Sequence, residues 1–113
     1  MDVDLFAGIC VAEFQAALPW YERLLGEPSF FPHETEAVWE VGERRFVYVV
    51  EDAEHAGHAR HTLFTDDLDR LADEIAGRGI EPSERETYSN GVRKFVYRDA
   101  DGNETGLGGA PPG

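Results

Sequence analysis

The sequence predicts an α+β fold of two strand–helix–three-strand modules, and three observations carry that prediction. Strand and helix patterns alternate along the chain. The order strand, helix, strand, strand, strand occurs twice, in about 55 residues each, which reads as an internal duplication. Each helical pattern ends at glycine, and short strands with turn signals follow it. The chain has 113 residues. One domain over 1–113 is therefore expected, made of modules at about 1–52 and 59–108.

The elements follow in order. Val3–Val11 is an apolar run with small residues, the pattern of a buried strand. Gln15–Leu25 carries Ala17, Leu18, Tyr21, Leu24 and Leu25 at helical spacing, and Gly26 stops it. Pro19 is expected in the first turn, where a missing N–H costs little. Ser29–Phe31, Ala37–Val41 and Arg45–Glu51 read as three strands, with Val41-Gly42-Glu43-Arg44 as a hairpin turn. Asp52–Arg60 is polar and small and reads as the loop between modules. His61–Thr65 restarts the pattern as a strand. Asp67–Arg78 is the second helix, with Leu68, Leu71 and Ile75 on one face. Pro82–Tyr88, Val92–Arg98 and Glu104–Leu107 are the last strands. Gly108–Gly113 is rich in Gly and Pro and is expected to fray. The likeness of Arg44-Arg45-Phe46-Val47-Tyr48 to Arg93-Lys94-Phe95-Val96-Tyr97 falls on different strands of the two modules, so it reflects strand composition and not the repeat.

Composition narrows the function classes. Hydrophobic residues make up 42% and charged residues 29% of the chain, as in ordinary globular proteins. No apolar run approaches the ~20 residues of a membrane span. The start, Met1-Asp2-Val3-Asp4, is acidic, unlike a signal peptide. The only cysteine, Cys10, leaves no intramolecular disulfide and no cysteine metal site. A cytoplasmic location is the expectation. The net charge of −13 argues against nucleic acid and anionic membrane as partners. It fits solubility first and a cationic ligand second.

Two motifs carry a resemblance. Trp20-Tyr21 with Leu25-Gly26 stands in the first helix, and Asp99-Ala100-Asp101-Gly102-Asn103 stands before the last strand. Placed so within a doubled module, they make the chain similar to the vicinal oxygen chelate superfamily, which includes glyoxalase I, bleomycin-resistance proteins and extradiol dioxygenases. Ala100 replaces the proline of that family's turn. The resemblance implies two βαβββ modules whose mixed sheets curl around a cavity, usually completed in a homodimer.

It also implies where a metal would sit in metal-using members. Carried over residue by residue, those four positions fall on Phe6, Val49, His61 and Gly106. Only His61 has a donor side chain, and one imidazole does not hold a divalent metal. The expectation is a ligand-binding set, Phe6, Val49, His61 and Gly106, with no metal cofactor and with His61 as the one hydrogen-bonding group. A slip of two residues keeps the strand face. It gives an alternative metal set of Glu51, His61 and Glu104, and with it a divalent metal ion as cofactor. His55, His58 and His61 are spaced by three, but Gly57 opposes a helix, and a loop is expected. His33 is expected at the surface. Cys10, Trp20, Tyr21 and Phe46 are expected in the core, and Trp39, Tyr48 and Phe64 in the core before a cavity wall.

The functional expectation is a metal-independent binder of a small molecule, able to sequester an antibiotic or a metabolite. The alternatives are a metal-dependent glyoxalase-like lyase, isomerase or dioxygenase, and a dimeric interaction module without ligand. No catalytic residue is assigned.

Overall fold

The computed structural model describes residues 1–111. The first module runs β1 (Leu5–Val11), α1 (Phe14–Leu25), β2 (Phe30–His33), β3 (Glu36–Gly42) and β4 (Arg45–Glu51). The second runs β5 (Arg60–Thr65), α2 (Leu68–Gly77), β6 (Glu84–Thr87), β7 (Arg93–Arg98) and β8 (Glu104–Gly109). The βαβββ pattern thus occurs twice. Each module forms one four-stranded sheet, in the orders β1-β4-β3-β2 and β5-β8-β7-β6. The first and last strands of each module pair in parallel, and the remaining neighbours are antiparallel. A parallel pair cannot be joined by a hairpin, and the helix and two strands between β1 and β4 provide the crossover. β1 and β5 are left as edge strands, and neither sheet closes into a barrel. No helix among the described residues is long and apolar enough to cross a membrane.

Side chains alternate between the faces of each sheet, and the two faces have different fates. One face packs against the helices. A single buried cluster runs through both modules there: Ile9, Val11, Val47, Val49, Ala37 and Trp39 beneath Phe14, Tyr21 and Leu24 of α1, joined to Leu107, Phe95 and Tyr97 with Leu68 and Ile75 of α2. The other face is called the open face below.

The helix ends are held by specific contacts. α1 has no cap from its own Glu13. Instead Glu51 Oε1, at the end of β4, accepts the Phe14 N–H at 3.0 Å and satisfies one of the orphan donors of the first turn. α2 is capped by Asp67, whose side chain accepts the Arg70 N–H. Gly26 ends α1 at φ 85°, a backbone shape that glycine adopts without strain. Its carbonyl accepts the Trp39 indole N–H at 2.8 Å.

Two expectations need correction. Pro19 lies inside α1, not in its first turn. Its ring is tolerated on the exposed side of the helix. Gly108 and Gly109 do not fray: they extend β8 and are buried. β8 lies between β5 and β7, so its backbone is paired on both sides. The Phe64 ring covers Gly108, and Leu68 covers Gly109. The last two residues of that tail, 112–113, lie outside the described residues.

Candidate functional site

The two family motifs meet in space. The Tyr21 hydroxyl donates to Asp99 Oδ2 at 2.7 Å. Asp99 Oδ1 accepts the backbone N–H groups of Asp101 and Asn103, and Oδ2 also accepts from Asn103 Nδ2. Asn103 Nδ2 donates to the Cys10 carbonyl at 2.8 Å, and its Oδ1 accepts the Ala59 N–H. Asp101 Oδ2 accepts the Ala12 N–H. The turn before β8 therefore ties the second module to β1 and α1 of the first. Burial and the Asp99 carboxylate push the Tyr21 phenol well above its ordinary range, so it stays protonated as a donor. This network is structural: its polar groups are spent on one another.

The four carried-over ligand positions do not come together. Phe6 lies on the open face of the first module, stacked on Phe46 with ring centroids 4.4 Å apart. Val49 lies on the opposite, helix-side face and is fully buried in the core. In the second module Gly106 is on the open face, where a Cβ would meet the Lys94 Cε and Thr62 Oγ1. His61 pairs in register with Thr105, one residue away from Gly106 on β8, and so occupies the helix-side face. Its Nε2 stands 3.3 Å from Thr105 Oγ1. Desolvation lowers its pKa, which keeps the imidazole neutral. Phe6 and Gly106 thus share the open-face parity of their modules, and Val49 and His61 do not.

The alternative metal set is dispersed as well. Glu51 caps α1. Glu104 is gripped by Arg60 and Arg98 on the open face, away from His61. Among the described residues no group of three or more His, Cys, Asp or Glu gathers as a metal needs. The donor chemistry of the open faces does not fit a resident divalent metal, which wants several N/O donors converging. The other histidines belong to local ion pairs or to solvent. His33 pairs with Glu36 at 2.9 Å, His55 with Asp52 at 2.8 Å, and His58 is exposed. Cys10 also lies off the core, on the open face. Burial first, then Asp52, raises its thiol pKa, and this makes it a poor nucleophile.

What the open faces do carry was missed by the sequence reading. In the first module they are Phe6, Phe46 and Tyr48, with Tyr48 lying flat over Gly8. Phe46 is half-buried against Phe6 and lies outside the core. In the second they are Thr62, Phe64, Lys94 and the Arg60–Glu104–Arg98 ion-pair group. Phe64 is 64% exposed, not core. Where the modules meet, a cavity of about 610 Å³ opens along the free edges of β1 and β5. Leu24 of α1, Leu71 and Ile75 of α2, and the helix-side residues Val47, Leu63 and Leu107 give it an apolar wall; Glu40, Arg45, Glu74 and Arg78 line it as well, and Phe46, Thr62 and Phe64 join it from the open faces. A smaller cleft of about 350 Å³ lies outside, between α1 and the turn before β8, with Trp20 on its wall. One sequence signal locates the open face. Phe6 stands seven residues before the α1 cap Glu13, and Arg60 stands seven before the α2 cap Asp67. Counting from the caps therefore puts Arg60, not His61, in the place equivalent to Phe6.

Comparison with solved structures agrees with this architecture. A glyoxalase/bleomycin resistance protein from Catenulispora acidiphila is 53% identical, over 97% of this chain and 100% of its own, with a TM-score of 0.93. A lactoylglutathione lyase from Agrobacterium tumefaciens is 17% identical, over 96% of this chain and 94% of its own, at TM-score 0.74. A bleomycin-binding protein solved with bleomycin is 18% identical, over 96% of this chain and 98% of its own, at TM-score 0.73. The last two likenesses show the shared fold alone. No family model matches the chain, and no curated protein is similar to it.

Proposed function

The chain belongs to the glyoxalase/bleomycin-resistance family, within the vicinal oxygen chelate superfamily, and we propose that it is a metal-independent member that binds a small organic molecule carrying an apolar ring. The observation that carries this reading is the cavity of about 610 Å³ at the module junction, flanked by the stacked Phe6–Phe46 pair. Pockets for small molecules are concave and join apolar walls to a few polar groups; this one joins aliphatic and aromatic walls to four charged side chains, Glu40, Arg45, Glu74 and Arg78. Aromatic rings prefer offset stacking on one another, and the exposed side of the Phe6–Phe46 stack offers such a platform. The residues at the metal positions of the family supply no donor set, so the proposed action is binding and sequestration without chemistry. The bleomycin-binding relative, solved with its drug bound, supplies a precedent for binding on this fold.

The same reading places the protein in the cytoplasm as one domain and takes the working form as a homodimer. Phe6, Phe30 and Phe31 are about half exposed and Phe64 more so. Apolar surface of this kind is commonly covered by a second copy. Sedimentation should give about twice the 12.6 kDa chain mass, and a monomer at micromolar concentration would remove this part of the proposal.

The test is a thermal-shift screen with a panel of small aromatic molecules, run before and after chelation. At least one member should raise the melting temperature equally in both samples, because a ligand that binds only the native state stabilises it. Stoichiometric metal whose removal lowers the melting temperature would overturn the proposal.

A further inference from the structure

We infer that the guest at the module junction carries a carboxylate held by Arg78 and Arg45; this deepens the small-molecule reading and rests on it. The charged side chains on the cavity lining are Glu40, Arg45, Glu74 and Arg78, and they are not equivalent. The Glu74 carboxylate is taken by Arg70, one turn back on α2, at 3.3 Å. Glu40 pairs in register with Phe46 and so reaches the cavity from the open face. Both arginines come from the other side. Arg45 pairs with Leu5 on the helix-side face, and Arg78 is the C-cap of α2. Among the described residues no carboxylate lies within 4.0 Å of either guanidinium; the acids near Arg45 at the chain start, Asp2 and Asp4, are bonded to Arg44 instead.

Arg78 is nevertheless fixed in place. Its Nε donates to the Arg23 carbonyl at 2.7 Å, and a terminal nitrogen donates to the Leu24 carbonyl at 3.2 Å. Neutral carbonyls orient a guanidinium without cancelling its charge, and N–H groups on its terminal nitrogens are left over. β4 brings Arg45 to the same end of the cavity. Val47, two residues on and on the same face, pairs with Trp39, whose indole reaches the Gly26 carbonyl at the close of α1. The Arg45 guanidinium lies over Gly42, where a Cβ would otherwise sit, and makes no hydrogen bond among the described residues. Two cations, one of them already oriented, thus stand at the α1 end of the cavity, and Phe46 and Phe64 join it from the open faces. An oriented guanidinium gives up little freedom on binding a carboxylate, and charge-assisted hydrogen bonds are the stronger kind. The chain as a whole has a net charge of −13, so this is a local feature and not a general affinity for anions. The matching guest is an aryl-alkyl carboxylate, its ring beside Phe46 and Phe64 and its carboxylate on Arg78 and Arg45.

The experiment measures the affinity of 3-phenylpropionate, 3-phenylpropanol and 3-phenylpropylamine for the full chain by amide-shift titration, in wild type, Arg45→Met and Arg78→Gln. The probes differ only in the terminal group. Met keeps a stem over Gly42, Gln keeps an amide donor for the α1 carbonyls, and the amide spectrum reports whether each variant is folded. Phenylpropionate should bind wild type more tightly than phenylpropylamine. Each variant should weaken phenylpropionate about fivefold and change phenylpropanol less than about twofold. Arg45 makes no bond whose loss could unfold the chain, so Arg45→Met keeps the test decisive if Arg78→Gln does not fold. Phenylpropionate affinity unchanged in either folded variant, an equal loss for acid and alcohol, or a preference for the amine overturns this inference alone. If none of the three probes binds wild type, the small-molecule reading falls and this inference with it.

Discussion

The two modules share a topology, and their helix-side faces are built alike, but their open faces have opposite chemistry. On the helix side, Ile9 and Val49 in the first module answer to Leu63 and Leu107 in the second, and Ala37 and Trp39 to Phe95 and Tyr97. On the open side the first module presents a stacked phenylalanine pair and the Tyr48 ring. The second presents Arg60 and Glu104 in the places of Phe6 and Phe46 and Gly106 in that of Tyr48, and Lys94 and Arg98 of β7 stand where β3 has Glu36 and Glu40. The difference teaches which face does which work. Over the core the helix-side face must exclude water, so both modules keep its centre apolar and the fold is set there. The open face is free of that demand, and it is where the modules have become specialised.

The largest expected effect tests whether the modules stand as one body. Asp99→Ala strands the Tyr21 hydroxyl, two backbone N–H groups and the Asn103 amide, all of which now donate to that carboxylate. A loss of about 3 kcal/mol or more in urea unfolding is expected. A loss under about 1 kcal/mol would mean that the turn does not hold the modules together.

The next effect separates the two faces directly. Val49→Ala, on the helix side, should cost about 2 kcal/mol, because the fully buried site is left with a cavity. Phe6→Ala, on the open side and 52% exposed, should cost less than about 1 kcal/mol despite the larger deletion, since little is removed from the water-free interior. Equal costs measured by denaturant midpoints would erase the distinction between the faces.

The smallest effect concerns His61, on the helix-side face of the second module beside Thr105. Burial lowers the His61 pKa below its usual 6.5. The unfolded chain therefore binds the proton more readily than the folded one. Stability from this residue is complete above about pH 6.5 and falls as pH drops through that value towards the lowered one. The carboxylates titrate in wild type and variant alike, so the readout is the difference between them. The loss of stability from about pH 7.5 to pH 5.5 should be smaller in His61→Gln than in wild type. The same loss in both would place His61 in a solvated setting.

Much of the fold was legible in the sequence because it is written in the helix-side pattern. Leu68, Leu71 and Ile75 sit at helical spacing, Asp67 caps α2, and the two motifs containing Tyr21 and Asp99 turn out to bond to each other. The glycines of β8 hid a strand, because Gly108 and Gly109 owe their order to pairing on both sides and to Phe64 and Leu68 above them. The candidate site was harder to read for a reason of parity. Strand side chains alternate, so a register off by one residue moves a position to the other face. Val49 and His61 are each one residue from the open-face positions Tyr48 and Arg60 or Thr62. The strand composition near them gives no sign of which face is buried.

The central claim is that the junction cavity takes an apolar guest with no metal. Its most direct test is an amide-shift titration of the chelator-treated protein with benzyl alcohol. Shifts are expected at Phe6, Phe46, Leu63 and Phe64, which line or flank the cavity, and none at Trp20 in the outer cleft. Shifts confined to Trp20 and its neighbours, or shifts that arise only after Zn²⁺ is added, would contradict it.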